Sequence, residues 1–333
     1  MNKPIYALGT IAGLAGTLGL SAFVARRLVT PAPYTAKASV RESSASDVTL
    51  TATRDTRLPG AYRLQRGPQN VPVGQIISAA DGAVRREAAA VIEAGEWAWD
   101  AIMHDTVDDI LASDEALDGG THVIHVHGQS LGPRQVLRGV NVWRELGASS
   151  EILDFTKLPA RSLDATASDE VVARVRAARE RGASRVVLQG WSAGALAASV
   201  AASRVDVDAI IGVSPLLSVK TALRGAVSAA HLPRFVGSAA FRITKTPGLS
   251  RLGGAPTALA VTDWQDTPGV PTLFIHSRAD TLVSESDVST AARRHGAEVV
   301  IFETAPHTLE WNEDPQRWDE AVRTFAVKHS LAR

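Results

Sequence analysis

From residue 122 onward, short β-branched runs alternate with segments of helical spacing, and no other feature constrains this chain as tightly. The runs are HVIHVH (122–127), EILDF (151–155), RVVLQG (185–190), DAIIGV (208–213), PTLFIH (271–276) and EVVIF (298–302). Apolar strands separated by helices predict a mostly parallel, twisted sheet with helices on both faces, because parallel neighbours need a crossover and the crossover covers the sheet. Between two of the runs, SDEVVARVRAARERG (168–182) has Ser168 placed to cap its start and acids in its first turn. Val171, Val172 and Val175 share one face of it, and Gly182 follows its last arginines. Residues 48–120 hold a Pro59-Gly60 turn and β-like pieces such as DVTLTAT and AVRREAAAV, so antiparallel strands are expected ahead of the parallel ones.

Composition narrows the chemistry. A chain of 333 residues, 45% of them hydrophobic, can bury a sizeable core. Lys plus Arg (35) balance Asp plus Glu (35), which removes the broad positive field that nucleic acid binding requires. With no cysteine, disulfides, thiolate metal sites and a cysteine nucleophile are excluded. No phosphate-loop motif is present.

The N-terminal stretch 4–25, PIYALGTIAGLAGTLGLSAFVA, is uncharged. As a helix it would reach about 33 Å against a hydrocarbon core of about 30 Å. It reads as a membrane anchor over 1–27 in preference to a cleaved signal, since no small-x-small site follows promptly. Arg26 and Arg27 after the run outweigh Lys3 before it, which favours a single-pass protein with a cytoplasmic body. Residues 28–47, rich in Pro, Ala and Ser, read as a linker, and the folded domain is expected over 48–333.

The reactive chemistry centres on Gly190-Trp191-Ser192-Ala193-Gly194, which follows a strand-like run and precedes an alanine-rich helix. A serine at such a corner projects its hydroxyl above the sheet. Gly190 and Gly194 leave room for close backbone passage, and the Ala193 amide can face a developing oxyanion. Serine needs a base to take its proton, and the base needs an orienting acid. Asp280 follows the run PTLFIH and His307 follows EVVIF, in the order Ser, Asp, His. His127 and Gly128 form the turn after HVIHV, with the Gln129 amide as the second candidate oxyanion donor. Trp191 is expected to pack. His122, His125 and His127 invite a metal reading that the absence of a neighbouring acidic ligand in the sequence disfavours, so no metal and no cofactor are expected.

Through IHVHG (124–128), GWSAG (190–194), the strand end at Asp280 and HTLEWNEDP (307–315), the chain resembles the α/β-hydrolase superfamily from about residue 48 onward. Within it the chain is similar to the bacterial serine-hydrolase group related to esterases and serine aminopeptidases. The resemblance implies that Ser192, Asp280 and His307 act as nucleophile, orienting acid and general base, and that the HG loop helps form the oxyanion hole. Ser277 stands where such proteins usually carry glycine, and Ala193 where methionine or glycine is common. A lid is expected at about 215–264, between strands 6 and 7 of that fold. Residues 215–254 carry six cationic groups and no Asp or Glu, which suits a cap lining an acyl pocket or resting on anionic lipid, and equally a solvated basic face. The expected function is hydrolysis of a carboxylic ester or related acyl bond of a small-molecule substrate. A peptidase and a non-catalytic, membrane-held scaffold are the alternatives.

Overall fold

The computed structural model describes residues 3–30, 36–53, 55–101, 117, 119–129, 132–260 and 262–332. Residues 31–35 of the expected linker and Ser130 of the loop after HVIHV lie outside them.

The six runs form one six-stranded parallel sheet in the order β12-β11-β10-β9-β7-β8. Its strands are β7 (Thr121–Val126), β8 (Ser149–Leu153), β9 (Arg185–Trp191), β10 (Ala209–Val213), β11 (Thr272–Ser277) and β12 (Glu298–Phe302). Alternate residues serve opposite faces. Val123, Val187, Leu273 and Ile275 pack toward α2 (Leu137–Glu145) and α9 (Pro315–Lys328). Ile124, Val126, Val186, Leu188 and Phe274 pack toward α3 (Ala167–Glu180), α4 (Ala193–Ala202) and α7 (Glu285–His295). Both faces are buried, which is why the strands read as continuous apolar runs. Strand order reverses beside β7, so the carboxyl ends of β7 and β9 border the crevice where such sheets place their sites.

Ser168 does not cap α3. The helix starts after Thr166 without a side-chain cap, and Ser168 is buried as the second residue of its first turn. Val171, Val172 and Val175 do face the core, and Gly182 leaves the helix end at φ 106°.

The antiparallel strands are not an extension of the sheet. They close into a separate barrel, β1-β2-β5-β4-β3-β6, made of β1 (Ala36–Ser43), β2 (Asp47–Thr51), β3 (Tyr62–Arg66), β4 (Gln69–Ala80), β5 (Ala83–Ala88) and β6 (Gly95–Ala101). Part of the expected linker 28–47 is therefore strand. Ala38 and Val40 alternate inward along β1, and that strand closes the barrel by pairing with both β2 and β6. Arg86 is buried inside. Its guanidinium donates to the carbonyls of Gly74 (3.0 Å), Thr56 (3.1 Å), Leu58 (2.7 Å) and Gly60, and it stands over Tyr62 and Trp99, whose rings stack 4.6 Å apart.

The membrane anchor over 1–27 is corrected. Among the described residues no helix is long and apolar enough to cross a membrane, which overturns the single-pass reading and the cytoplasmic placement derived from it. The stretch belongs to α1 (Lys3–Val29), whose end packs on the protein. Val24, Ala25 and Val29 are buried against α5 (Val219–Ala229) and α6 (Arg234–Lys245) through Leu223, Val227, Val236 and Ile243. Apolar residues taken as lipid-facing are here used for helix packing.

Replacing Arg86 by leucine leaves buried carbonyls without a donor. It is expected to lower unfolding stability by roughly 3–5 kcal/mol, read by chemical denaturation, whereas leucine at the exposed Arg85 of the same strand leaves it close to wild type.

Candidate active site

Ser192 follows β9 directly and initiates α4 at φ 53° and ψ −118°, a conformation that costs an L-residue on the order of 1–3 kcal/mol. Glycines make the corner possible. A Cβ on Gly190 would lie 2.4 Å from Ala195 Cα, and one on Gly194 would lie 2.2 Å from Val126 O and 2.5 Å from His127 O. The elbow is thus pressed against the end of β7, where a Cβ on Gly128 would come within 3.2 Å of Ser192 Cβ.

Asp280 sits in the turn after β11 and His307 in the loop after β12. His307 Nδ1 lies 2.7 Å from Asp280 Oδ2, and His307 Nε2 lies 2.8 Å from Ser192 Oγ. A carboxylate only accepts, so Nδ1 carries the proton and Nε2 is left to accept from the serine hydroxyl. Asp280 Oδ1 also accepts from the amides of Leu282 (2.7 Å) and Val283 (3.1 Å). Burial raises the Asp280 carboxyl, but the His307 charge, its hydrogen bond and the two amides outweigh it and hold the acid below its ordinary value. Burial pulls His307 down, and the Asp280 charge and hydrogen bond more than reverse this, so the imidazole rests above the ordinary histidine value. The fully buried His276 stands behind the acid, its Nδ1 3.7 Å from Asp280 Oδ2, with burial holding its own pKa down.

His127 and Gly128 form the turn that carries Gln129. The Phe155 N–H donates to His127 Nε2 (2.9 Å), which puts the ring proton on Nδ1, and this donates to Gly128 O (2.6 Å). Burial lowers the pKa of His127 and so preserves the neutral tautomer. Since carbonyl and N–H oppose each other across a planar peptide, that bond turns the Gln129 amide away from the ring. Ser162 Oγ donates to His127 O and Arg161 to Gln129 O, which hold the turn from its other side. The backbone amides of Gln129 and Ala193 have no hydrogen-bond partner among the described residues.

Sequence reasoning passed over several residues around this centre. Gln135 is buried and bridges two loops: its Oε1 accepts from Gly128 N–H (2.7 Å) and its Nε2 donates to Thr308 Oγ1 (3.1 Å). Thr308 (φ 65°) donates its N–H to Ser214 Oγ (3.0 Å), and Ser214 (φ 43°) donates to Glu310 Oε1. Glu310 is fully buried, its Oε2 has no partner among the described residues, and burial pushes its carboxyl up to about 7. A carboxylate three positions after His307 was visible in HTLE, but nothing local marked it as buried.

Trp191 is buried in the core. The strand histidines take ordinary partners: His122 bonds Ser149 (2.7 Å) and lies 3.3 Å from Glu151, while His125 bonds Ser150 (3.1 Å) and is held far below the usual histidine range, at about 3, by burial. Among the described residues no group of three or more His, Asp or Glu side chains is arranged to hold a metal ion.

Residues 39–99, essentially the barrel, match a family described as a domain of unknown function (DUF8805). No curated relative matches the sequence. Among solved structures, the chain is similar to an esterase of Pyrococcus furiosus at 17% identity and TM-score 0.48, covering 83% of this chain and 94% of that one. A thermophilic esterase of Thermogutta terrifontis, with propionate bound, is 19% identical at TM-score 0.46, with 67% and 88% of the two chains covered. A proline iminopeptidase-related protein of Thermus thermophilus is 18% identical at TM-score 0.45, with 64% and 91% covered. At such identities the chemistry of this site rests on its own residues and distances.

Alanine at Gly194 must displace two backbone carbonyls, so it is expected to cost roughly 1–3 kcal/mol of stability, measured by thermal unfolding. Alanine at Gly19, where a helical Cβ meets open space, serves as the control and is neutral or slightly stabilising.

Proposed function

We propose that this chain is a serine hydrolase of the α/β-hydrolase superfamily that cleaves a carboxylic ester or related acyl bond. The observation that carries the reading is the unbroken hydrogen-bonded path from Asp280 through His307 to a serine held at positive φ. Ser192 Oγ attacks the carbonyl carbon while His307 Nε2 accepts its proton. Asp280 holds the imidazolium in place, and the Gln129 and Ala193 amides receive the oxyanion. Collapse of the tetrahedral adduct expels the alcohol, which takes the proton from His307 and leaves Ser192 acylated. Water, deprotonated by the same imidazole, then attacks the acyl group and releases the carboxylic acid and the free serine. Every proton is returned, so these residues need no further co-reactant.

The lid in this reading is the α5–α6 pair. Its apolar side packs with Leu216, Ala193 and Leu196 around the start of α4, so the pair stands over the helix that Ser192 initiates. An ester is favoured over a peptide because residues 215–254 offer no carboxylate to receive a free amino terminus.

Ser192→Ala is expected to abolish both fluorophosphonate labelling and ester turnover, and Asp280→Asn to reduce kcat by about 10⁴-fold. Retained labelling in Ser192→Ala sinks the assignment, and a folded wild type inert across an acyl-ester library points to the scaffold alternative.

The pH dependence follows from the two raised groups. His307 must be neutral to accept a proton, so kcat/KM rises with pH through its pKa, and that limb lies above the ordinary histidine value of about 6.5. Glu310, its carboxyl pushed up to about 7 by burial, favours the imidazolium when it is charged. Glu310→Gln removes that charge and should move the limb to lower pH, as read from a pH profile of kcat/KM.

A further inference from the structure

A cavity of about 660 Å³ lies between α5, α6 and the turn that begins at Asp280. It falls within the size range of small-molecule sites. Arg224 and Ser228 line it from α5, one helical turn apart, while Arg234, Phe235 and Ser238 line it from α6. The cavity reaches Asp280 itself, and α5 rests closely on this turn, since a Cβ at Gly225 would lie 3.2 Å from Leu282 O.

Both arginines line this one cavity, and what matters is how their charges are met there. Several arginines elsewhere have carboxylate partners: Arg85 with Asp47 (2.8 Å), Arg174 with Glu170 (3.2 Å), Arg179 with Asp208 (2.6 Å), Arg278 with Glu285 and Glu303 (each 3.1 Å). Arg224 and Arg234 have no ion-pair or hydrogen-bond partner among the described residues, and residues 215–254 contain no acid that could supply one. Two carboxylates do border the cavity, but both are committed. Asp280 is buried toward His307, and Asp287 Oδ2 accepts from Ser284 Oγ (2.7 Å) in the first turn of α7, where the helix end favours its charge.

We propose that this cleft binds an anionic group, a carboxylate or a phosphate monoester carried by the acyl substrate, between Arg224 and Arg234. The identification rests on the serine-hydrolase reading of Ser192, and it names the class of ester that the site selects. Guanidiniums match the planar or tetrahedral oxyanions that accept forked hydrogen bonds, and the hydroxyls of Ser228 and Ser238, which line the same cavity, supply further donors. Phe235, 56% exposed, offers an apolar wall to the carbon skeleton beside the anion. Excess positive charge on this side of the site also attracts such substrates before contact, an attraction that salt weakens.

The test uses the full chain and three matched 4-nitrophenyl esters, one ending in methyl, one in carboxylate and one in a phosphate monoester. The readout is kcat/KM for each anionic ester divided by that for the neutral one. Wild type should favour at least one anionic ester by roughly ten-fold or more, and the arm that does so tells carboxylate from phosphate. The double variant Arg224→Gln/Arg234→Gln should lower that ratio about ten-fold, while Arg251→Gln, a cation of the same segment outside the cleft, should leave it in place. Equal ratios in wild type and the double variant overturn the proposal. If no ester is turned over, the serine-hydrolase reading fails by itself, and calorimetric titration with succinate and with inorganic phosphate decides the cleft. Binding by wild type that is lost in the double variant supports the site, and absence of binding by wild type refutes it.

Discussion

Ser192 is held in a backbone conformation that side chains resist, and much of the molecule serves to keep it there. Two glycines let the chain cross itself at the elbow, at contacts where even one methyl carbon would overlap backbone. The Ser192 N–H is fixed to Val213 O (2.9 Å), and Ser192 O accepts from Ala195 (3.0 Å) and from Leu216 (3.1 Å). One residue is therefore tied at the same time to the adjacent strand, to its own helix and to the start of the segment leading to α5. Strain of this kind persists only where the surroundings over-determine it, and here they do.

The neighbouring loops show the same logic with polar groups. Gln135 spans the turn after β7 and the loop after β12, so one side chain ties the Gly128 amide to Thr308. The barrel joins this arrangement from outside the sheet. Its Gly60 passes so close to Asn312 O that a Cβ would lie 1.7 Å away, and Asn312 Nδ2 donates to Ala61 O (3.2 Å). Arg86 fixes the carbonyls of the same stretch, Thr56, Leu58 and Gly60. A buried cation in the barrel thereby stiffens a segment that bears on α8 (Glu310–Glu313), just beyond His307.

What could be read in the sequence was what depends on neighbours in the chain. All six apolar runs form the strands of the sheet, because a strand buried on both faces writes its burial into consecutive residues. Ser192, Asp280 and His307 could each be singled out because each follows such a run, and the fold brings those strand ends together. Features made by distant contacts left no local mark. The Pro, Ala and Ser composition around 36–43 hid a strand whose fully buried apolar residues are just Ala38 and Val40. An uncharged helix scores the same whether lipid or protein covers it, so the hydropathy of 4–25 could not reveal that Val24, Ala25 and Val29 meet α5 and α6. Nor does a charged letter such as Arg86 or Glu310 disclose that it is fully enclosed, since burial of such residues is decided by the whole fold.

Closure of the barrel also bears on how the chain can be divided. β1 hydrogen-bonds on one side to β2 and on the other to β6, so it is the keystone between the ends of the antiparallel array. A fragment trimmed to begin at 48 would lose it, and two raw rows of amides and carbonyls would face solvent. Such edges recruit strands from other chains, which makes the trimmed fold a seed for self-association. The modest octapeptide AKASVRES thus acts as insulation against polymerisation.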